Sequence, residues 1–136
     1  MTTVSTFRLN LLRAAYLFVF VGLALMIWPR LLNPPQDVEH MRGVVWSLLG
    51  AVGLLAALGI RYPLQMLPVL LFELVWKTIW LIVIGIPLWT ADALTSATAS
   101  TWNDNVFGVV FCLVVIPWGY VYANYVKKPG DRWRNG

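Results

Sequence analysis

Four long apolar runs, separated by short polar or proline-bearing stretches, organise this chain. Within each run hydrophobic residues follow one another almost without interruption, which is the pattern of helices immersed in lipid rather than of helices with one wet face. The first run covers residues 10–28, with Arg8 and Arg13 at its start, where Arg13 can snorkel back to headgroups. A signal peptide has a similar basic start, but it ends in a small-x-small cleavage site; this run ends in Trp28-Pro29-Arg30 and is read as a retained helix. Asn33-Pro34-Pro35-Gln36-Asp37 is turn chemistry, and Asp37 is the expected N-cap of the second helix. The apolar part of that helix, 43–60, has about the length needed to cross a hydrocarbon core of ~30 Å at ~1.5 Å per residue.

Arg61-Tyr62-Pro63 is the whole connection to the third run, 64–89, and predicts a tight antiparallel hairpin with a basic tip. The third run is longer than a straight crossing needs, and Pro68 and Pro87 are the expected places for a bend. Residues 90–105 are polar and small, contain Asp92 and Asp104, and read as a loop or a short interfacial helix anchored by Trp102. A fourth helix is expected over 106–125 with a kink at Pro117, ending in Lys127-Lys128-Pro129-Gly130. The resulting expectation is all-α: a single four-transmembrane-helix domain over 1–126, an up-down-up-down integral membrane bundle, followed by a short basic tail at 127–136.

Composition agrees, since 60% of residues are hydrophobic and 12% charged, whereas soluble domains run near a quarter charged. The formal net charge of +4 would raise the question of nucleic acid in a soluble protein. Here the basic residues gather at helix ends and form no face interleaved with exposed aromatics, so the expected partner is the lipid bilayer and not nucleic acid. Arg8, Arg13, Arg61, Lys127, Lys128, Arg132 and Arg134 fall on one side, and only Arg30 and Arg42 on the other. By the positive-inside rule the first side, with both termini, is cytoplasmic. Tyr62, Tyr120, Tyr122 and Tyr125 gather at that end and Trp28, Trp89 and Trp102 at the opposite one, as interfacial belts.

Candidate chemistry is sparse. Glu73 and Lys77 lie about nine and thirteen residues into the third helix, ~13 and ~20 Å along its axis, near mid-membrane. Each charge there costs ~2.5–3.5 kcal/mol, while about fifteen Leu, Ile, Val and Phe residues return ~0.3–0.6 kcal/mol apiece, so insertion of this helix alone is close to balanced. The two sit one turn apart in the favourable Glu-before-Lys order. Trp76 and Trp80 flank them, so an indole N–H can reach the carboxylate and a ring face can take the ammonium. The face Met66, Leu70, Glu73, Lys77, Trp80 and Ile84 is then expected to point into the bundle, as a neutralised packing pair or as a ligand, proton or substrate site.

On the second helix, Gly43, Ser47 and Ala51 form a small-xxx-small series with Gly50 nearby, a face for close helix packing within the monomer or between copies. His40 beside Asp37 and Glu39 is too small a set for a metal site, and reads as a solvated capping cluster. No histidine lies in an apolar run to ligate haem, Cys112 is the single cysteine, and no GxSxG, HExxH or GxxxxGK[ST] pattern occurs, so neither cofactor nor metal is expected.

Arg61-Tyr62-Pro63-Leu64, the Met66-Leu67-Pro68 step, Glu73 to Trp80, Ile116-Pro117-Trp118-Gly119-Tyr120 and Lys127-Lys128-Pro129-Gly130-Asp131-Arg132-Trp133 together resemble a group of small bacterial four-span membrane proteins. The resemblance implies a bacterial inner-membrane location and no particular activity. The size is also similar to that of small multidrug-resistance transporters, but their essential carboxylate lies in the first helix, where this chain has none. The expected function is that of a non-enzymatic accessory protein or a binder of lipid or of a small hydrophobic molecule, with Glu73 and Lys77 as its polar core. An oligomeric transporter or channel is the alternative, either with a homo-oligomer or with a membrane-protein partner.

Overall fold

The computed structural model describes residues 4–133; Arg134, counted above among the basic residues, lies outside them. Among the described residues all regular structure is helical. Three helices are long and apolar enough to cross a membrane, Thr6–Met26, His40–Arg61 and Leu67–Thr90, and there are four if the bent pair Ser96–Val115 and Trp118–Lys127 counts as one span.

Helix α1 (Thr6–Met26) starts at Ser5, whose hydroxyl accepts from the Arg8 amide at 3.2 Å. It gives way to the short α2 (Trp28–Leu32), with Pro29 in the first turn of α2, where its missing N–H costs nothing. Asn33, Pro34 and Pro35 stop α2. Helix α3 (His40–Arg61) is capped by Glu39, which accepts from the Met41 amide at 3.3 Å, and not by Asp37. The turn closed by the Val38 amide on the Pro35 carbonyl holds Asp37 two residues too early to reach the free amides.

The connection after α3 runs through 62–66 rather than 61–63, because Pro68 is used as a helix starter and not as a bend: it sits in the first turn of α4 (Leu67–Trp80). Pro87 does perturb the helix. A π-helical turn, Leu81–Gly85, joins α4 to α5 (Ile86–Thr90), with the Ile86 amide reaching back five residues to Leu81. This widened turn sits just ahead of the proline that cannot supply an amide.

Residues 96–105, expected as a loop or a separate short helix, are the first half of α6 (Ser96–Val115). A capping box starts it: the Thr95 hydroxyl accepts from the Thr98 amide at 3.2 Å and the Thr98 hydroxyl from the Thr95 amide at 2.7 Å. The helix expected over 106–125 therefore does not exist as one rod. Ile116, forced into the extended region by the proline after it, ends α6, and Trp118–Lys127, made of α7 (Trp118–Val121) and a second π-helical turn, leaves at 78°.

Packing also differs from a hairpin of the second and third long helices. The main partners are α1 with α3, and α4 with α6; α3 and α4 touch far less, and α1 reaches α6. Glycine placement explains the pairing, since the Tyr16 ring of α1 lies against Gly59 of α3 and Trp102 of α6 against Gly85. One end of the molecule is closed by a core of Leu12, Ala15 and Tyr16, Ala56, Leu67 and Leu70, and Cys112, Val115 and Ile116. Polar side chains of α1 fasten the same end. Arg8 donates to the carbonyls of Ile116 at 2.9 Å and Val114 at 3.3 Å, Arg13 to that of Ile60 at 3.1 Å, and the Tyr16 hydroxyl to that of Pro63 at 2.7 Å. Arg13 is thus a cap on the end of α3 as well as a basic flank.

Candidate functional site

Above that core the two helix pairs separate and leave a cleft of about 430 Å³. Its walls are apolar and aromatic, from Phe18, Leu23, Leu70, Phe107 and Phe111, and its polar groups are Glu73, Lys77, Thr101, Asp104 and Asn105 with the Trp76 indole. Helix α4 supplies the charged pair, because residues 70, 73 and 77 share one helical face, and α6 supplies the rest through 101, 104, 105 and 108 at the same periodicity.

Glu73 is 6% exposed. Its Oε2 receives both the Lys77 ammonium at 3.2 Å and the Trp76 indole N–H at 3.2 Å. The ammonium also sits 4.4 Å from the Trp76 ring centroid, so one tryptophan does both tasks expected of two. Trp80, two turns from Glu73, makes no hydrogen bond to the pair and lies instead beside Gly85. Ile84, expected on the inward face, is 45% exposed. The π turn inserts an extra residue per turn and brings Gly85 inward in its place.

None of the α6 residues, Thr101, Asp104, Asn105 and Gly108, is among the expected site residues, and the last two matter most. A Cβ at position 108 would lie 2.6 Å from Cδ and Cε of Lys77, so glycine lets the lysine stem lie flat against α6 on its way to Glu73. Asn105 is 2% exposed, and its Nδ2 has no partner among the described residues. A glycine inside an apolar helical run, and the 101/104/105/108 spacing, are the signals; a loop or short interfacial helix over 90–105, cut off from the helix expected at 106, hides the second.

The small residues of α3 divide. Gly50 is buried, with a Cβ there meeting Leu31 at 2.7 Å, whereas Gly43 is half-buried and a Cβ there would meet nothing within 4 Å. Ser47 and Ala51 are exposed, and the Ser47 hydroxyl turns back to the Gly43 carbonyl at 2.9 Å. The covered face is instead the one carrying Gly50, Gly53, Ala56 and Gly59, with α2 over Gly50 through Trp28 and Leu31 and α1 over Gly53 and Gly59 through Leu23 and Tyr16. His40 is the first residue of α3 and exposed.

Chemically, a carboxylate with one oxygen committed and the other without a donor among the described residues, in one apolar-walled cleft with an Asn105 Nδ2 that has no partner among them, is an arrangement for holding the polar end of a mostly apolar molecule. Compared with models of known protein families, with functionally described proteins and with solved structures, the chain gives no match.

Proposed function

We propose that this is a multi-pass protein of the bacterial inner membrane, with both termini in the cytoplasm, that binds a lipid or small hydrophobic molecule in the Glu73 cleft and performs no chemistry on it. The observation that carries the reading is the cleft itself: largely apolar, about 430 Å³, with a few polar groups converging on one wall. Membrane placement is supported by the outer surface, where Leu17, Val21, Leu25, Leu54, Leu58, Val75, Ile79, Ile82, Val110 and Val114 are all exposed. In this reading α6 crosses the bilayer alone, and Trp118–Lys127, turned through 78°, lies in the inner interface with Tyr122 and Tyr125.

Gly22 tests the reading, because it lines the cleft and has nothing within 4 Å of where its Cβ would be. Gly22→Trp carries an indole into the cleft from a Cβ position that nothing crowds. Protein purified in mild detergent is expected to carry a hydrophobic small molecule or lipid in wild type and to lose it in Gly22→Trp. The same molecule at the same occupancy in both sinks the proposal.

An oligomeric transporter or channel is the second reading, favoured by one observation: Gly43, Ser47 and Ala51 face outward, where a second copy can approach closely. Since Cys112 is buried and the single cysteine, Ser47→Cys should form a disulfide dimer in membranes if two copies meet there. A chain that stays monomeric under oxidation removes this reading.

A further inference from the structure

The charges and rings around the cleft identify what kind of polar end it holds. Two carboxylates, Glu73 and Asp104, line it against one ammonium, Lys77, leaving one formal negative charge in excess. Glu73 Oε2 is shared by Lys77 and Trp76, and no hydrogen bond among the described residues reaches Oε1. Asn105 is buried in the same cleft, its Nδ2 has no partner among the described residues, and a half-turn about χ2 puts the oxygen in that place as a further acceptor. Around this acceptor set stand Phe18, Phe107 and Phe111, mutually packed with ring centroids 5.4 to 6.2 Å apart. The site already seats one cation on an aromatic face, Lys77 on Trp76.

Resting on the reading of the cleft as a binding site, we propose that it takes a lipophilic monocation, an amine or ammonium head with N–H donors carried on a hydrocarbon body. The positive head neutralises the excess carboxylate, its N–H groups reach Glu73 Oε1 and the Asn105 and Asp104 oxygens, and the ring faces of Phe18, Phe107 and Phe111 take the rest. An anionic head would add a second uncompensated negative charge in a low-dielectric place. A neutral alcohol can satisfy Asn105 but leaves the excess charge as it is.

The protein as a whole carries a formal charge of +4, so non-specific attraction favours anions and works against the expected result. The experiment is native mass spectrometry of the full chain in neutral detergent with dodecylammonium, dodecyltrimethylammonium, dodecanol and dodecanoate in competition. These probes share one tail and differ in the head. Dodecylammonium should out-compete dodecanol and dodecanoate by about tenfold or more, with the trimethylated head between because it keeps charge and loses its N–H donors. Asp104→Asn, at an exposed position, should remove most of that preference, read as the ratio of dodecylammonium to dodecanol bound; an unchanged ratio overturns the part given to the Asp104 charge. Tighter binding of dodecanol or dodecanoate overturns the cationic assignment while the cleft remains a binding site. Binding of none of the four overturns both.

Discussion

At Glu73 the carboxylate is held by an ammonium and an indole on one oxygen, and the pair is positioned by a glycine on another helix. Glu73→Gln should strand Lys77 and destabilise the detergent-solubilised protein by about 3 kcal/mol at most, because the lysine keeps the Trp76 ring and can tip into the cleft. Adding Lys77→Met should recover much of that loss, and thermal unfolding of both single variants and the double variant gives the interaction energy. A zero interaction energy would show the two groups to be independent. Gly108→Ala pushes on the lysine stem, with an expected cost of ~1–3 kcal/mol. In that background Glu73→Gln should cost less than in wild type, since the pair is already loosened. The pair and the Trp76 contact were legible in the sequence, because spacing within one helix fixes which side chains are neighbours. Gly108 and Asn105 were not, because their roles depend on which helix faces α4, and within-helix spacing is silent on that.

Helix ends are where sequence and structure part company most. Proline at 68 and proline at 117 look alike in an apolar run, yet the first starts a helix and the second breaks one. The difference lies in what takes up the freed carbonyls. Those of Val114 and Ile116, near the break before Pro117, are taken by Arg8, more than a hundred residues away in sequence. Arg8→Ala should therefore cost ~1.5–3 kcal/mol, the worth of charge-assisted hydrogen bonds to otherwise open carbonyls, and Arg8→Lys should recover only part, since an ammonium cannot span both oxygens as a guanidinium does. Thermal unfolding of the two variants checks the order. Equal stability of Arg8→Ala and wild type would reduce Arg8 to a topology signal. The long apolar runs were readable because hydrophobicity over about twenty residues needs no partner to be recognised. Helix 96–115 was missed because its first half is polar, and only the cleft it lines explains why that polarity is tolerated in a helix.

Across the whole molecule, the proposed inner-end placement of both termini rests on the distribution of arginine and lysine, and reporter fusions test it. Fusions at Ala93, between α5 and α6, and at Gln36, between α2 and α3, should report periplasm, and one after Gly136 cytoplasm. A periplasmic C-terminus would overturn the four-crossing arrangement. Three long apolar helices were legible from composition along the chain, and the fourth only as part of a bent pair; the pairing, α1 with α3 and α4 with α6, was not, because it is decided by a few close approaches at Gly59 and Gly85. The fastening of one end by α1 has a consequence for biosynthesis. Arg8, Arg13 and Tyr16 leave the ribosome first, but the carbonyls they bind belong to Ile60, Pro63, Val114 and Ile116. Arg13 finds its acceptor once α3 has been translated and Tyr16 in the connection just after it, while Arg8 waits for almost the entire chain. In the proposed membrane reading, a ribosome stalled before residue 114 thus holds a nascent chain whose first helix pair is latched and whose Arg8 is still open to lipid phosphates, a bond it must exchange for the Ile116 carbonyl when translation finishes.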